Sequence, residues 1–179
     1  KAQKLEPGKL KGAVEAAMPR SVKLQLATPA DDPPSGDEWL HELKLDGYRT
    51  MAYLDQGKVR LITRGGLDWS DKYGAVARAF EALPVTQAIV DGEVVVVDEN
   101  GMTHFSLLQE ALSAGDSSRL TFFAFDLVYL DGFDLTKVPL VERKEMLRKA
   151  LAPVITANSA IHYSDHVLGD GAALYHQAG

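Results

Sequence analysis

The chain has 179 residues, no cysteine, a formal charge of −6 and 46% apolar residues, enough to bury one substantial core or a core with an attached segment. The lack of cysteine excludes disulfides, thiolate catalysis and cysteine-ligated zinc, so any metal must bind through oxygen or imidazole. No apolar run reaches the length of a membrane span, and no basic-then-apolar export leader is present, so the expected setting is cytoplasmic.

Residues 1–27 carry Lys1, Lys4, Lys9, Lys11, Arg20 and Lys23 against Glu6 and Glu15, a balance of +4 that leaves −10 for the remainder. Such a leader can attract nucleic acid through counterion release, but a solvated linker has the same composition, and residues 1–19 are read as a basic linker. Thr28 to Gly36 holds three prolines, a glycine and two aspartates, which marks a boundary or loop. Trp39 to Asp46 alternates as a strand. Glu42, Lys44 and Asp46 then share one face, with Leu43 and Leu45 turned to the core.

Tyr48 to Leu54 and Val59 to Arg64 are the next expected strands, joined by a hairpin turn at Asp55-Gln56-Gly57-Lys58. Tyr73, Val76, Ala77, Phe80 and Leu83 fall at helical spacing, with Ser70 or Asp71 as the expected N-cap and Pro84 just past the end. Ala88 to Asp98 is a valine-rich strand buried on both faces, and Asn100-Gly101 signals a hairpin before Met102 to Phe105. A short helix over Ser106 to Ser113 and a strand over Leu120 to Leu130 follow, closed by Asp131-Gly132. Pro139 to Leu151 reads as a helix in which Leu140, Lys144, Leu147 and Leu151 share a face, so that Lys144 must snorkel to water. A last strand, Ile161 to Val167, precedes a helix-like tail. The expected class is α+β, antiparallel sheets flanked by helices.

Several residues along this path can carry chemistry. A free lysine, with a pKa near about 10.4, needs desolvation or neighbouring positive charge before its amine can attack. Arg49, Arg64 and a bound metal would supply that charge around Lys44, and Glu42, Asp46, Asp91, Glu93 and Asp126 are carboxylates able to recruit a metal. Asp91-Gly92-Glu93 sits inside an apolar run, where ionised groups are costly unless paired or bound to something. A bulge with both carboxylates turned outward is the plain structural reading. Phe125 can stack on a purine or pack in the core, and Arg64-Gly65-Gly66 can approach phosphate or form a simple turn. The five histidines show no metal-binding spacing with carboxylates. His162 and His166 are four apart, but in a predicted strand. No Gly-x-x-x-x-Gly-Lys-[Ser/Thr] phosphate loop and no Gly-x-Ser-x-Gly elbow occurs.

Taken in order, Lys44-Leu45-Asp46-Gly47-Tyr48-Arg49, Thr63-Arg64-Gly65-Gly66, Asp91-Gly92-Glu93 and Phe125-Asp126 resemble the motifs of the covalent nucleotidyltransferases. Leu26-Ala27-Thr28, Glu38-Trp39-Leu40 and Gly66-Leu67-Asp68-Trp69-Ser70 extend the likeness to ATP-dependent DNA ligases, especially the ligase module of bacterial ligase D, over residues 20–179. The resemblance implies a nucleotidyltransferase (ATP-grasp-like) adenylation fold. It also implies that Lys44 attacks the α-phosphorus of ATP and passes AMP to a DNA 5′-phosphate. Glu42 would then hold adenine or its surroundings, Arg49 and Glu93 would contact ribose, Arg64 would face phosphate or ribose, and Phe125 would stack on adenine. Asp46 joins the nucleotide site, and Asp46, Asp91 and Glu93 are the candidate ligands for Mg2+ or Mn2+. The implied partners are nicked or broken double-stranded DNA, a Ku-like end-binding protein and attached polymerase or phosphoesterase domains, near a bacterial nucleoid.

Family members continue into a Glu-Gly motif, a pair of lysines and an oligonucleotide-binding barrel. No glutamate follows Glu145 here and no lysine or arginine follows Lys149, so residues 20–179 are expected to be the N-terminal part of an adenylation domain with weak or absent self-adenylation alone. RNA ligases and capping guanylyltransferases share the Lys-x-Asp-Gly lysine and are the rival within the class. A non-catalytic nucleotide- or DNA-binding scaffold is the rival outside it.

Overall fold

A computed structural model describes residues 4–169, which divide into two units: residues 4–18 with 45–163, and residues 19–44 with 164–169. In chain order the elements are β1 (Val14–Glu15), β2 (Leu40–His41), β3 (Tyr48–Asp55), β4 (Lys58–Thr63), α1 (Gly74–Glu81), β5 (Gln87–Val95), α2 (Phe105–Ala114), β6 (Thr121–Leu130), β7 (Phe133–Asp134), α3 (Leu140–Leu151), β8 (Ile161–Tyr163) and β9 (Val167–Leu168). Both helices and antiparallel ladders are present, as the α+β reading requires.

The larger unit is built on a seven-stranded sheet in the order β1-β7-β6-β5-β3-β4, with β8 added to β6 in parallel. Its centre forms where the sequence is most apolar. Tyr48, Ala52 and Leu54 of β3, Ala88, Val90 and Val94 of β5, and Phe122, Ala124 and Leu127 of β6 join one core with Val76 and Phe80 of α1, Leu108 of α2 and Leu147 and Leu151 of α3. Since side chains alternate across a pleated strand, Arg49, Asp91 and Glu93 fall on the opposite face. Gln56 and Gly57 both take positive φ, which makes the β3–β4 connection a tight two-residue turn whose twist matches the strands.

Gly92 explains its own place in the apolar run. A Cβ there would meet the Phe122 ring at 2.3 Å and the Phe123 carbonyl at 2.5 Å, so β6 lies too close for any side chain. Gly47 is similar, because a Cβ would approach the Val94 carbonyl to 2.1 Å. The glycine of the Lys-x-Asp-Gly sequence is thus required by close contact with β5, and not by a left-handed turn.

Several expectations are corrected. The strand expected over Trp39 to Asp46 shrinks to Leu40–His41; residues 42–46 make no ladder, and Leu43, expected in the core, is 49% exposed. Ser70 does not cap α1, whose N-cap is Tyr73. Its hydroxyl instead accepts from Leu61 N at 2.9 Å and donates to Asp68 at 2.6 Å, which closes the β4–α1 loop. Ile161 to Val167 is split into β8 and β9, in different units. The helix-like tail lies outside the described residues beyond Gly169.

Over its described length the segment expected to be a basic linker packs on the larger unit. Leu5, Leu10 and Ala13 pack on the core, β1 pairs with β7, and the Tyr129 hydroxyl donates to the Ala16 carbonyl at 2.8 Å. Lys4, Lys9 and Lys11 are exposed while Pro7 is buried and Leu5, Leu10 and Ala13 are partly so, a division that net charge alone does not reveal.

The smaller unit, by itself, contains the β2–β9 ladder, with Leu40 opposite Leu168 and His41 opposite Val167. Gly169 N donates to the Trp39 carbonyl at 3.0 Å, and His41 Nε2 lies 2.9 Å from the Gly169 carbonyl. No helix among the described residues is long and apolar enough to cross a membrane.

Candidate nucleotide site

Register creates the site. Arg49 lies opposite Glu93 and Met51 opposite Asp91, so Arg49 and Asp91 are diagonal neighbours on one face. The guanidinium takes the carboxylate in a fork, Nε to Oδ1 at 3.1 Å and an Nη to Oδ2 at 2.6 Å. Such a two-point pair fixes orientation as well as charge. Asp91 holds the Arg49 guanidinium firmly protonated. Burial pushes the Asp91 carboxyl above its ordinary range, and the Arg49 pair opposes that push.

Phe125 reaches this group through an irregularity in the ladder. Asp91 pairs with Asp126, and Gly92 with Ala124, so Phe125 is an extra residue on β6, and a bulge re-aims its side chain. The Arg49 guanidinium carbon lies 5.4 Å from the Phe125 ring centroid. An aromatic face beside a fixed guanidinium and two carboxylates suits a base with its ribose: the ring offers stacking surface, and the charged groups offer donors and acceptors to hydroxyls.

The same register runs further than the sequence reading went. Glu93 lies opposite Phe123 and Phe123 opposite His162, forming a four-strand row with Arg49. The Phe123 and His162 rings stack at 5.7 Å. Next to the bulge, Arg143 of α3 forks onto Asp126 at 2.8 and 2.9 Å. Lys144, expected to snorkel outward, is instead fully buried; its Nζ donates to the Phe125 carbonyl at 3.0 Å and lies 5.0 Å from the Tyr163 ring centroid. A lysine among leucines on a helix face was the available signal, and the paired Phe-Asp bulge that receives it is not visible in spacing.

The other expected residues are placed as follows. Arg64 is exposed, and its backbone N donates to the Arg49 carbonyl at 3.0 Å. Asp46 is engaged at the start of α2: its backbone N donates to Thr103 Oγ1 at 3.1 Å and its Oδ2 accepts from Phe105 N at 3.3 Å, where a helix leaves amides without internal partners. Glu42 and Lys44 belong to the smaller unit, and both are exposed.

Both Asp91 oxygens are held by Arg49, an Asp46 oxygen serves α2, and no group of three or more histidines or carboxylates that could hold an ion occurs among the described residues. Of the three candidate metal ligands, Asp91 already has its charge balanced by the Arg49 fork.

A family model describing the ATP dependent DNA ligase domain matches residues 23–169. The multifunctional non-homologous end joining protein LigD of Pseudomonas aeruginosa is 40% identical over 141 residues, covering 79% of this chain and 17% of that protein. LigD of Mycobacterium bovis is 37% identical over 138 residues, covering 77% and 17%. Among solved structures, a mycobacterial DNA ligase D complexed with ATP and MES aligns with a TM-score of 0.62 at 31% identity, over 78% of this chain and 43% of that one. The chain therefore spans 17% of the length of these curated relatives.

Proposed function

The chain belongs to the family of ATP-dependent DNA ligase domains, and from that premise we propose that it binds ATP and becomes adenylated on Lys44 as part of a ligase joining breaks in double-stranded DNA. The observation that carries this reading is the position of Arg49: forked onto Asp91, opposite Glu93 and beside the Phe125 ring. In that role Phe125 stacks on adenine, Arg49 and Glu93 hold the ribose, and Arg64, exposed at the end of β4, meets phosphate. Glu42 lies two residues before Lys44 and helps frame the base. Asp46 anchors the chain two residues after Lys44 by holding α2.

The Lys44 amine must first give up a proton to solvent. Its lone pair then forms a nitrogen–phosphorus bond at the α-phosphorus of ATP while the bond from that phosphorus to the bridging oxygen breaks, and pyrophosphate leaves. A DNA 5′-phosphate oxygen next takes the adenylate, restoring the amine. A 3′-hydroxyl attacks the activated phosphate, forms the phosphodiester and releases AMP. Arg49 and Arg64 offset the charge of the phosphates, which otherwise repel nucleophiles. Mg2+ or Mn2+ is the expected companion of ATP, held by its phosphates more than by this chain's carboxylates. The relatives are named as multifunctional non-homologous end joining proteins, which supports a role in end joining; the setting that goes with this reading is the cytoplasm at the nucleoid, with a Ku-like protein and further enzymatic domains as partners.

Incubation with α-labelled ATP tests the reading. The expected product is AMP on the Lys44 peptide by mass spectrometry, at low yield for residues 1–179 alone and absent in Lys44→Ala. A GMP adduct formed in preference would move the chain to capping-type enzymes. If nucleotide affinity is absent and Lys44→Ala changes nothing, the scaffold reading stands in its place.

A further inference from the structure

β6 changes neighbours along its length. Residues 122–124 pair with β8, and residues 129–130 pair with β7, so the bulged stretch around Phe125 lies between the two ladders. α3 fills the role of a strand there. Lys144 Nζ supplies the donor for the Phe125 carbonyl, and Arg143 forks onto the adjacent Asp126 while its Nη1 donates to the Val138 carbonyl at 2.6 Å. Two consecutive helix residues therefore hold two consecutive bulge residues.

This is a costly way to fill a core. A lysine with no exposed surface gives up the hydration of its ammonium, and an apolar residue of similar length would pack without that loss. What the lysine adds is a directed bond to the backbone of Phe125, the residue that this bulge leaves out of register. We infer that Arg143 and Lys144 are positioning residues that set the orientation of the Phe125 ring as a platform for the nucleobase. They do so through backbone and neighbour, without touching the nucleotide. This inference rests on the reading of Phe125 as the base-stacking residue.

Two measurements on the protein separate this from a packing role. Arg49 Nε–H lies under the influence of the Phe125 ring, so its proton resonance reports ring orientation without any nucleotide; Phe125→Leu gives the value with the ring current removed, and Arg49→Lys identifies the signal. In Lys144→Met, which keeps the chain length without the donor, that resonance is expected to move toward the Phe125→Leu value. ATP affinity by calorimetry is expected to fall about 10-fold, within the range that loss of one base–aromatic stack produces. Arg143→Lys keeps the charge but loses the fork; it should show the same two changes and serves if Lys144→Met does not fold.

An unchanged Arg49 resonance and unchanged ATP affinity in the folded variants, whatever their melting temperatures, would overturn the inference. Phe125→Ala binding ATP as tightly as the parent would instead remove Phe125 from the nucleotide reading, while the Arg49 resonance still decides whether α3 orients the ring.

Discussion

The β3–β5–β6 face and the segment Glu42 to Lys44 carry their chemistry in opposite ways. On the sheet, each reactive side chain is set by register: Arg49 by its place opposite Glu93, Asp91 by the diagonal, Phe125 by a bulge. Glu42 and Lys44 follow the end of β2, make no ladder and are exposed. Groups that recognise a ligand benefit from being locked before it arrives, because ordering them on binding would cost affinity. In the proposed reaction Lys44 takes an adenylate and then hands it on, which needs access on both occasions, and a loop provides that.

The largest effects should divide along that line. Lys44→Ala is expected to abolish the adenylate adduct while leaving urea unfolding within about 0.5 kcal/mol of the parent, as for other exposed substitutions. A drop in stability together with the lost adduct would show that Lys44 is built into the fold, and the contrast between the two regions would fail.

Breaking the sheet's ion pair should do the reverse, acting first on stability. Asp91 has a side chain only 6% exposed and Arg49 one 23% exposed, so Arg49→Met leaves a buried carboxylate without its cation. A loss of about 3 kcal/mol is expected for this kind of half-removed pair. Its pH dependence has a definite sign. Burial already raises the Asp91 carboxyl, and without Arg49 the opposing pull is gone, so the folded state then favours the protonated acid. The stability of Arg49→Met relative to the parent should therefore recover as pH falls through the raised folded value, and decline again as pH rises through it. A deficit that does not change with pH would mean that another cation replaces Arg49 beside Asp91.

Gly47 tests the join between the motif and the sheet. Its missing Cβ lies against the Val94 carbonyl, which is backbone and cannot rotate away. Gly47→Ala should cost about 1–3 kcal/mol through overpacking and lower adduct formation along with it. Full activity at reduced stability would show that the approach to β5 matters to folding alone.

The strands of the larger unit were legible because their apolar runs and turn signals agree. Asp55-Gln56-Gly57-Lys58 announces its hairpin, and Ala88 to Asp98 announces a buried strand, which in the structure ends at Val95. Lys44, Arg49, Glu93 and Phe125 were legible as a motif set, but their partners were not. The Arg49–Asp91 fork depends on the offset between two strands, and the Arg143–Asp126 fork on a bulge; neither register is written in local periodicity. The four-residue spacing of His162 and His166 has no meaning in a strand, and the partner of His162 is Phe123, on a strand nearly forty residues away in sequence. The error at Lys144 has a simple cause. A helical face shows which side is buried, but whether a cation there reaches water depends on what stands above it, here the Phe125 carbonyl and Tyr163.

α3 also supplies the smallest expected effect, and it sharpens the contrast within one helix. Glu145 forks with Arg148 at 2.8 and 2.9 Å and lies 3.4 Å from Lys149. These partners keep its carboxyl below the ordinary range, so the distances resemble those of Arg143 with Asp126. Exposure decides between them. Glu145 and Arg148 are about half exposed, whereas Arg143 and Asp126 retain 11% and 16%, and water screens the first pair while the second is largely removed from it. Glu145→Gln should change the unfolding free energy by less than about 0.5 kcal/mol, with any change shrinking as salt is added. Asp126→Asn, on β6 where Arg143 of α3 reaches it, should cost several times more and respond little to salt. Equal losses at the two positions would mean that pair geometry, and not removal from water, governs what α3 contributes.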